Sequence, residues 1–128
     1  MNRQIIITAA VLGMLGVIAG AFAAHGLKTK LTPQDLEIWH TAVQYQFYHV
    51  FALLFLATFS RFNNGLISIS YYLFTFGIIF FSGSLYLLAC RDLLGWSWLS
   101  IMGPITPLGG ILFIAGWATL ALAAFRNK

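Results

Sequence analysis

Apolar positions in this chain come in long blocks, separated by short polar or glycine-containing breaks. Residues 4–24 carry no charge between Arg3 and His25, and the block has no strand-like alternation. An apolar run of about 18 residues or more can cross the ~30 Å hydrocarbon core of a bilayer as a helix. Further blocks follow at about 33–59, 66–89 and 107–125. Strands of a membrane barrel would alternate with period two over roughly 10-residue segments, and that pattern is absent. The pattern predicts an all-α, single-domain polytopic membrane protein over residues 1–128, with four transmembrane helices in an up-down-up-down bundle. Residues 93–105 are apolar but broken by Gly95, Gly103 and Pro104. They carry Trp96 and Trp98, so they read as an interfacial or re-entrant segment before helix 4.

Local signals set the helix limits. Gly26 suits a left-handed position closing helix 1, and Lys28 and Lys30 complement its dipole. Thr32 is placed to cap helix 2, with Pro33 at the first helical position and Asp35 three residues after the cap. Asp35 and Glu37 read as a surface turn. Arg61-Phe62-Asn63-Asn64-Gly65 has turn chemistry, making helices 2 and 3 antiparallel neighbours. Thr106-Pro107 repeats the helix-start signal. Gly13, Gly16 and Gly20 recur at helical spacing in helix 1, and Gly83, Gly109, Gly110 and Gly116 are further close-packing positions. Arg3 followed by Ala21-Phe22-Ala23 also has the form of a signal peptide. The block exceeds a usual signal-peptide core, so it is read as a retained span.

Composition removes the soluble alternatives. Hydrophobic residues make up 60% and charged residues 8%, with mean hydropathy +0.87. Soluble domains have about 25% charged residues. The net charge of +4 belongs to Lys and Arg at helix ends, so a nucleic-acid partner is not expected. Arg3, Arg61, Arg126 and Lys128 fall on the side of the termini, and Lys28, Lys30 and Arg91 on the other. This leans toward cytoplasmic termini. The single Cys90 excludes an intrachain disulfide.

Against this background one stretch stands out: His40-Thr41-Ala42-Val43-Gln44-Tyr45-Gln46-Phe47-Tyr48-His49. On a wheel at about 100° per residue from His40, Trp39, Val43, Phe47, Val50 and Leu54 fall between about 260° and 340°. That arc is expected to face lipid. Glu37, His40, Thr41, Gln44, Tyr45, Tyr48 and His49 fall between about 0° and 180° and are expected to face other helices. His25, Tyr86 and Thr106 end or begin helices on the same side of the bilayer. A candidate polar pocket therefore comprises His25, His40, Thr41, Gln44, Tyr45, Tyr48, His49, Tyr86 and Thr106.

No metal or cofactor is expected there. His40 and His49 are about 900° apart on the wheel and point to opposite edges of the arc. Helices 3 and 4 contain no His, which leaves only His25 with His49, at different depths, as a haem pair. No Ser or Cys stands beside an obvious base, no carboxylates pair at depth, and no phosphate loop occurs, so no enzymatic activity is expected.

Four ordered segments carry a family resemblance. They are Gly20-Ala21-Phe22-Ala23-Ala24-His25-Gly26-Leu27, Thr41-Ala42-Val43-Gln44-Tyr45-Gln46-Phe47-Tyr48-His49, Gly83-Ser84-Leu85-Tyr86-Leu87-Leu88 and Pro104-Ile105-Thr106-Pro107-Leu108-Gly109-Gly110. With them, nearly the whole chain resembles the small membrane proteins of domain of unknown function 423, whose eukaryotic relative is transmembrane protein 256. The resemblance implies four spans and, in bacteria, the inner membrane. It transfers no catalytic residue. Members often have Gly where this chain has Ala23. The leading expectation is a non-enzymatic membrane protein whose polar pocket takes a lipid, a quinone or a partner helix, oligomeric through its glycine stripes. A subunit of an oligomeric transporter or channel is the alternative, and a haem or quinone electron carrier the third.

Overall fold

The computed structural model describes residues 2–59 and 65–126. Every element among them is helical: α1 (Arg3–Phe22) continuing into a π-helical turn (Ala23–Leu27), α2 (Pro33–Ala57), α3 (Leu66–Ala89), α4 (Arg91–Leu94), a 3-10 helix (Ser97–Met102) and α5 (Ile105–Arg126). Three stretches are long and apolar enough to cross a membrane: Arg3–Leu27, Leu66–Ala89 and Ser97–Arg126. The less apolar α2 is not among them.

The start of α2 follows its sequence signal. Thr32 Oγ1 accepts from the Asp35 amide at 3.1 Å, and Pro33 opens the helix where its missing N–H costs nothing. Three other boundaries differ from expectation. Gly26 does not close α1 in a left-handed conformation; the helix widens into the π turn instead. That turn buries Ala23 and Leu27 in a cluster with Leu31, Trp39 and Ala89. The second helix ends at Ala57 rather than Phe59, with Thr58 capping it. Thr106 is not the cap of α5, because Ile105 already lies in the helix; its hydroxyl pairs with Ser84 Oγ at 2.6 Å. Residues 61–64 of the expected Asn-Gly turn, and with them Arg61, lie outside the described residues, as does Lys128. Between α3 and α5 the chain turns at Gly95 (φ +69°) and exposes Leu93, Leu94, Trp96, Trp98 and Ile101.

The long helices pack in chain order, α1 on α2, α2 on α3 and α3 on α5. The Asn2 amide meets the Ala57 carbonyl at 3.0 Å, while the Trp39 indole donates to the Ala19 carbonyl at 2.9 Å. Ser82 Oγ donates to the Ala42 carbonyl at 2.7 Å, and Ser70 Oγ to the Gly116 carbonyl at 3.2 Å. Such bonds from small side chains let helices approach where no hydrophobic force distinguishes protein from lipid. Gly109 packs so closely on the Phe81 backbone that a Cβ would overlap it. Gly13, Gly16 and Gly20 face Val50, Phe47 and Val43 of α2, Gly116 faces Phe74, and Gly110 touches only the edge of Phe81. Gly83 faces nothing within 4 Å, so the expectation of close packing there is not met.

The lipid-facing arc assigned to α2 is overturned except at Leu54, which is exposed. Trp39 and Val50 are buried, and Val43 and Phe47 lie under the α1 glycines. Small residues on α1 bring its backbone down onto the apolar side of α2, so that side is internal. The buried arc, about 120° to 280° on the same wheel, carries Asp35, Trp39, Ala42, Gln46, His49, Val50, Leu53 and Leu56.

Candidate functional site

Two side chains of α2 organise the polar interior, and they point to different neighbours. Gln46 is buried and bridges three helices. Its Nε2 donates to the Leu12 carbonyl of α1 at 2.7 Å, and its Oε1 accepts from the Tyr86 hydroxyl of α3 at 2.6 Å. The Tyr86 ring packs edge-on against Trp39, with centroids 4.6 Å apart. Beside this bridge a groove of about 360 Å³ opens between α1 and α3, walled mainly by Leu12, Leu15, Ile78 and Ile79.

On the other flank, His49 is buried against α3 and α5. Trp117 Nε1 donates to His49 Nε2 at 3.1 Å. An indole N–H can only donate, so Nε2 is the accepting nitrogen and Nδ1 carries the proton toward the Tyr45 carbonyl at 2.8 Å. The ring stacks on Phe113 with centroids 3.6 Å apart and planes within 6°. Both ring nitrogens are thus engaged in hydrogen bonds within the protein. Next to it lies a cleft of about 330 Å³ lined by Tyr45, His49, Phe81, Gly110, Phe113, Ile114 and Trp117. Five of the seven lining residues carry aromatic rings. The Tyr45 hydroxyl makes no hydrogen bond among the described residues, and the side chain is 38% exposed.

The structure divides the expected single pocket. It brings Tyr45, Tyr48 and His49 together, with Tyr45 5.6 Å from Tyr48 and 6.3 Å from His49 between centroids. Tyr86 lies on the opposite flank with Gln46. Thr106 sits with Ser84 between α3 and α5. His25, His40 and Gln44 are exposed, and Thr41 turns back to the Glu37 carbonyl at 3.1 Å. Their expected orientation toward other helices is therefore corrected: α1 and α3 occupy the far side of α2. Asp35, read as a surface residue, is buried, while Glu37 is exposed. Burial pushes the nearby Cys90 thiol above its ordinary range, and the Asp35 charge adds to the effect. Gln46 was absent from the expected site. The signal for it was the seven-residue pattern Trp39, Ala42, Gln46, His49, Leu53, which is one continuous seam.

Comparison with known proteins gives matches along nearly the whole chain. Residues 19–110 match the family model described as protein of unknown function DUF423. A UPF0382 membrane protein of Staphylococcus haemolyticus is 40% identical, covering 97% of each chain. UPF0382 membrane protein YwdK of Bacillus subtilis is 41% identical over 97% of this chain and 98% of its own. A UPF0382 membrane protein of Haemophilus influenzae is 36% identical over 100% of this chain and 98% of its own. No solved structure matches.

Proposed function

The chain belongs to the DUF423 family of membrane proteins of unknown function, and from that premise we propose that it is a non-enzymatic binding protein of the bacterial inner membrane. In this reading α2 is a fourth span, the four long helices run up-down-up-down with cytoplasmic termini, and the Trp96–Trp98 segment lies in the interface. Support comes from the pairings along α2. Gln46 is level with Leu12, midway along one apolar stretch, and His49 with Phe74 and Phe113 in two others. The polar part of α2 is thus held at the depth of three apolar helices.

The ligand we propose is a planar, membrane-dissolved carbonyl compound of the quinone class, bound in the Tyr45–Trp117 cleft. One observation carries this: a space of about 330 Å³ is lined mostly by aromatic side chains, and the hydroxyl of one of them, Tyr45, makes no hydrogen bond among the described residues. Flat rings gain offset stacking against such walls, and a hydroxyl at hydrocarbon depth gains a partner by donating to a carbonyl. Trp117 reports on the cleft directly. Titrating purified protein with a short-chain quinone should quench its indole emission saturably, and Trp117→Phe should remove the saturable part. Tyr45→Phe should weaken binding about tenfold, the worth of one hydrogen bond. Quenching that is linear in both wild type and Trp117→Phe would reject the proposal.

A further inference from the structure

We infer that a second copy of this chain docks along the outward face of α2, pairing α2 with α2 in parallel. The face is a stripe of Glu37, Thr41, Gln44, Tyr48, Phe51 and Phe55, spaced alternately four and three residues apart. It lies between about 20° and 100° on the α2 wheel, opposite the buried seam. Tyr48, Phe51 and Phe55 are 55%, 61% and 54% exposed, and Gln44 is exposed as well. The seven-residue repeat is the pattern by which two helices keep one seam in contact over several turns.

The inference rests on the reading of α2 as a span. At that depth the stripe is out of place against lipid. Gln44 and Tyr48 flank Gln46 and His49, which are level with the middles of the apolar helices. Neither the Gln44 amide nor the Tyr48 hydroxyl makes a hydrogen bond among the described residues. Hydrocarbon supplies no partner for such groups, so polar side chains in spans turn toward other protein. Within this chain, α1 and α3 pack on other sides of α2, and α5 meets it at His49 through Phe113 and Trp117.

The chemistry of the stripe selects a copy of itself. Two chains inserted in the same sense are related by an axis along the bilayer normal, which sets each residue level with its own counterpart. A Gln amide and a Tyr hydroxyl each donate and accept, so Gln44 can satisfy Gln44 of the second copy and Tyr48 can satisfy Tyr48. About two turns toward the start of α2, Glu37 lies three residues from exposed His40, so each copy offers a carboxylate and an imidazole to the other. Below, Phe51 and Phe55 supply an apolar continuation. The glycine stripe of α1, by contrast, is covered by α2 and is not free for this purpose.

Cysteine cross-linking in native membranes tests the arrangement. With Cys90→Ser as background, single cysteines at Gln44, Tyr48 and Phe51 should give a two-chain product on oxidation. Their yield should exceed at least tenfold that from Val17 and Ile114, which are exposed on α1 and α5. Equal yields at all positions, or an adduct of one chain with a different protein, would overturn the inference. In the uncrosslinked protein, Gln44→Leu with Tyr48→Phe should lower the two-chain fraction at least tenfold with helicity retained; an unchanged fraction would also overturn it. Labelling of Gln44→Cys by a membrane-impermeant maleimide would sink the span reading itself, separately from the pairing.

Discussion

Both ring nitrogens of His49 are committed, one to the Trp117 indole and one to the Tyr45 carbonyl, and its face is covered by Phe113. Replacing it by Ala should cost about 2–3 kcal/mol, mostly lost packing, since interhelical hydrogen bonds in membranes average about 0.6 kcal/mol. Thermal unfolding in detergent checks this; an unchanged melt would mean the stack contributes nothing. The sequence singled out His49 and Tyr45 because polar side chains in an apolar chain are visible by composition alone. It did not single out Gln46, nor place Val43, Phe47 and Val50 inside. The reason is physical. Lipid tails and helix interiors are equally apolar, so an apolar side chain does not declare which of them it faces. Only the glycines of α1 resolve that, by showing which face of α2 can be approached closely.

At the scale of elements, signals that act within one turn were legible and those that depend on a neighbour were not. Thr32-Pro33 starts α2 because cap and proline need nothing beyond the first turn. The same dipeptide at Thr106-Pro107 falls inside α5, where the hydroxyl is taken by Ser84 across the interface. Gly26 has the composition of a helix stop, yet packing of Ala23 and Leu27 with Leu31 and Trp39 carries the helix through it. Two glycines separate packing from mere composition. Gly109→Ala would drive a methyl into the Phe81 backbone and should destabilise by about 1–3 kcal/mol. Gly83→Ala meets open space and should be neutral or stabilising by up to about 1 kcal/mol. Equal effects in a melting assay would mean that the α3–α5 approach is looser than described.

For the whole molecule, the all-helical membrane class was legible from hydropathy, because a bilayer leaves few ways to satisfy a backbone. Division of the polar cluster into two flanks was not, because it depends on which helices sit on either side of α2. The proposed crossing of α2 has a direct consequence for topology. In a Cys90→Ser background, cysteines replacing Lys28 and Arg91 should be labelled by an impermeant reagent from the same side, and cysteines replacing Arg3 and Arg126 only from the opposite one. Labelling of positions 28 and 91 from opposite sides would reduce the spans to three and remove the polar stretch from the bilayer.

This stretch is proposed to help form a cleft for a flat membrane-dissolved ligand, and native mass spectrometry of protein released from its own membrane decides the question. Chains carrying a bound mass in the quinone range are expected, with that mass reduced in Tyr45→Phe and Trp117→Phe while the fold is retained. Bare chains, or phospholipid masses indifferent to both substitutions, would contradict the proposal.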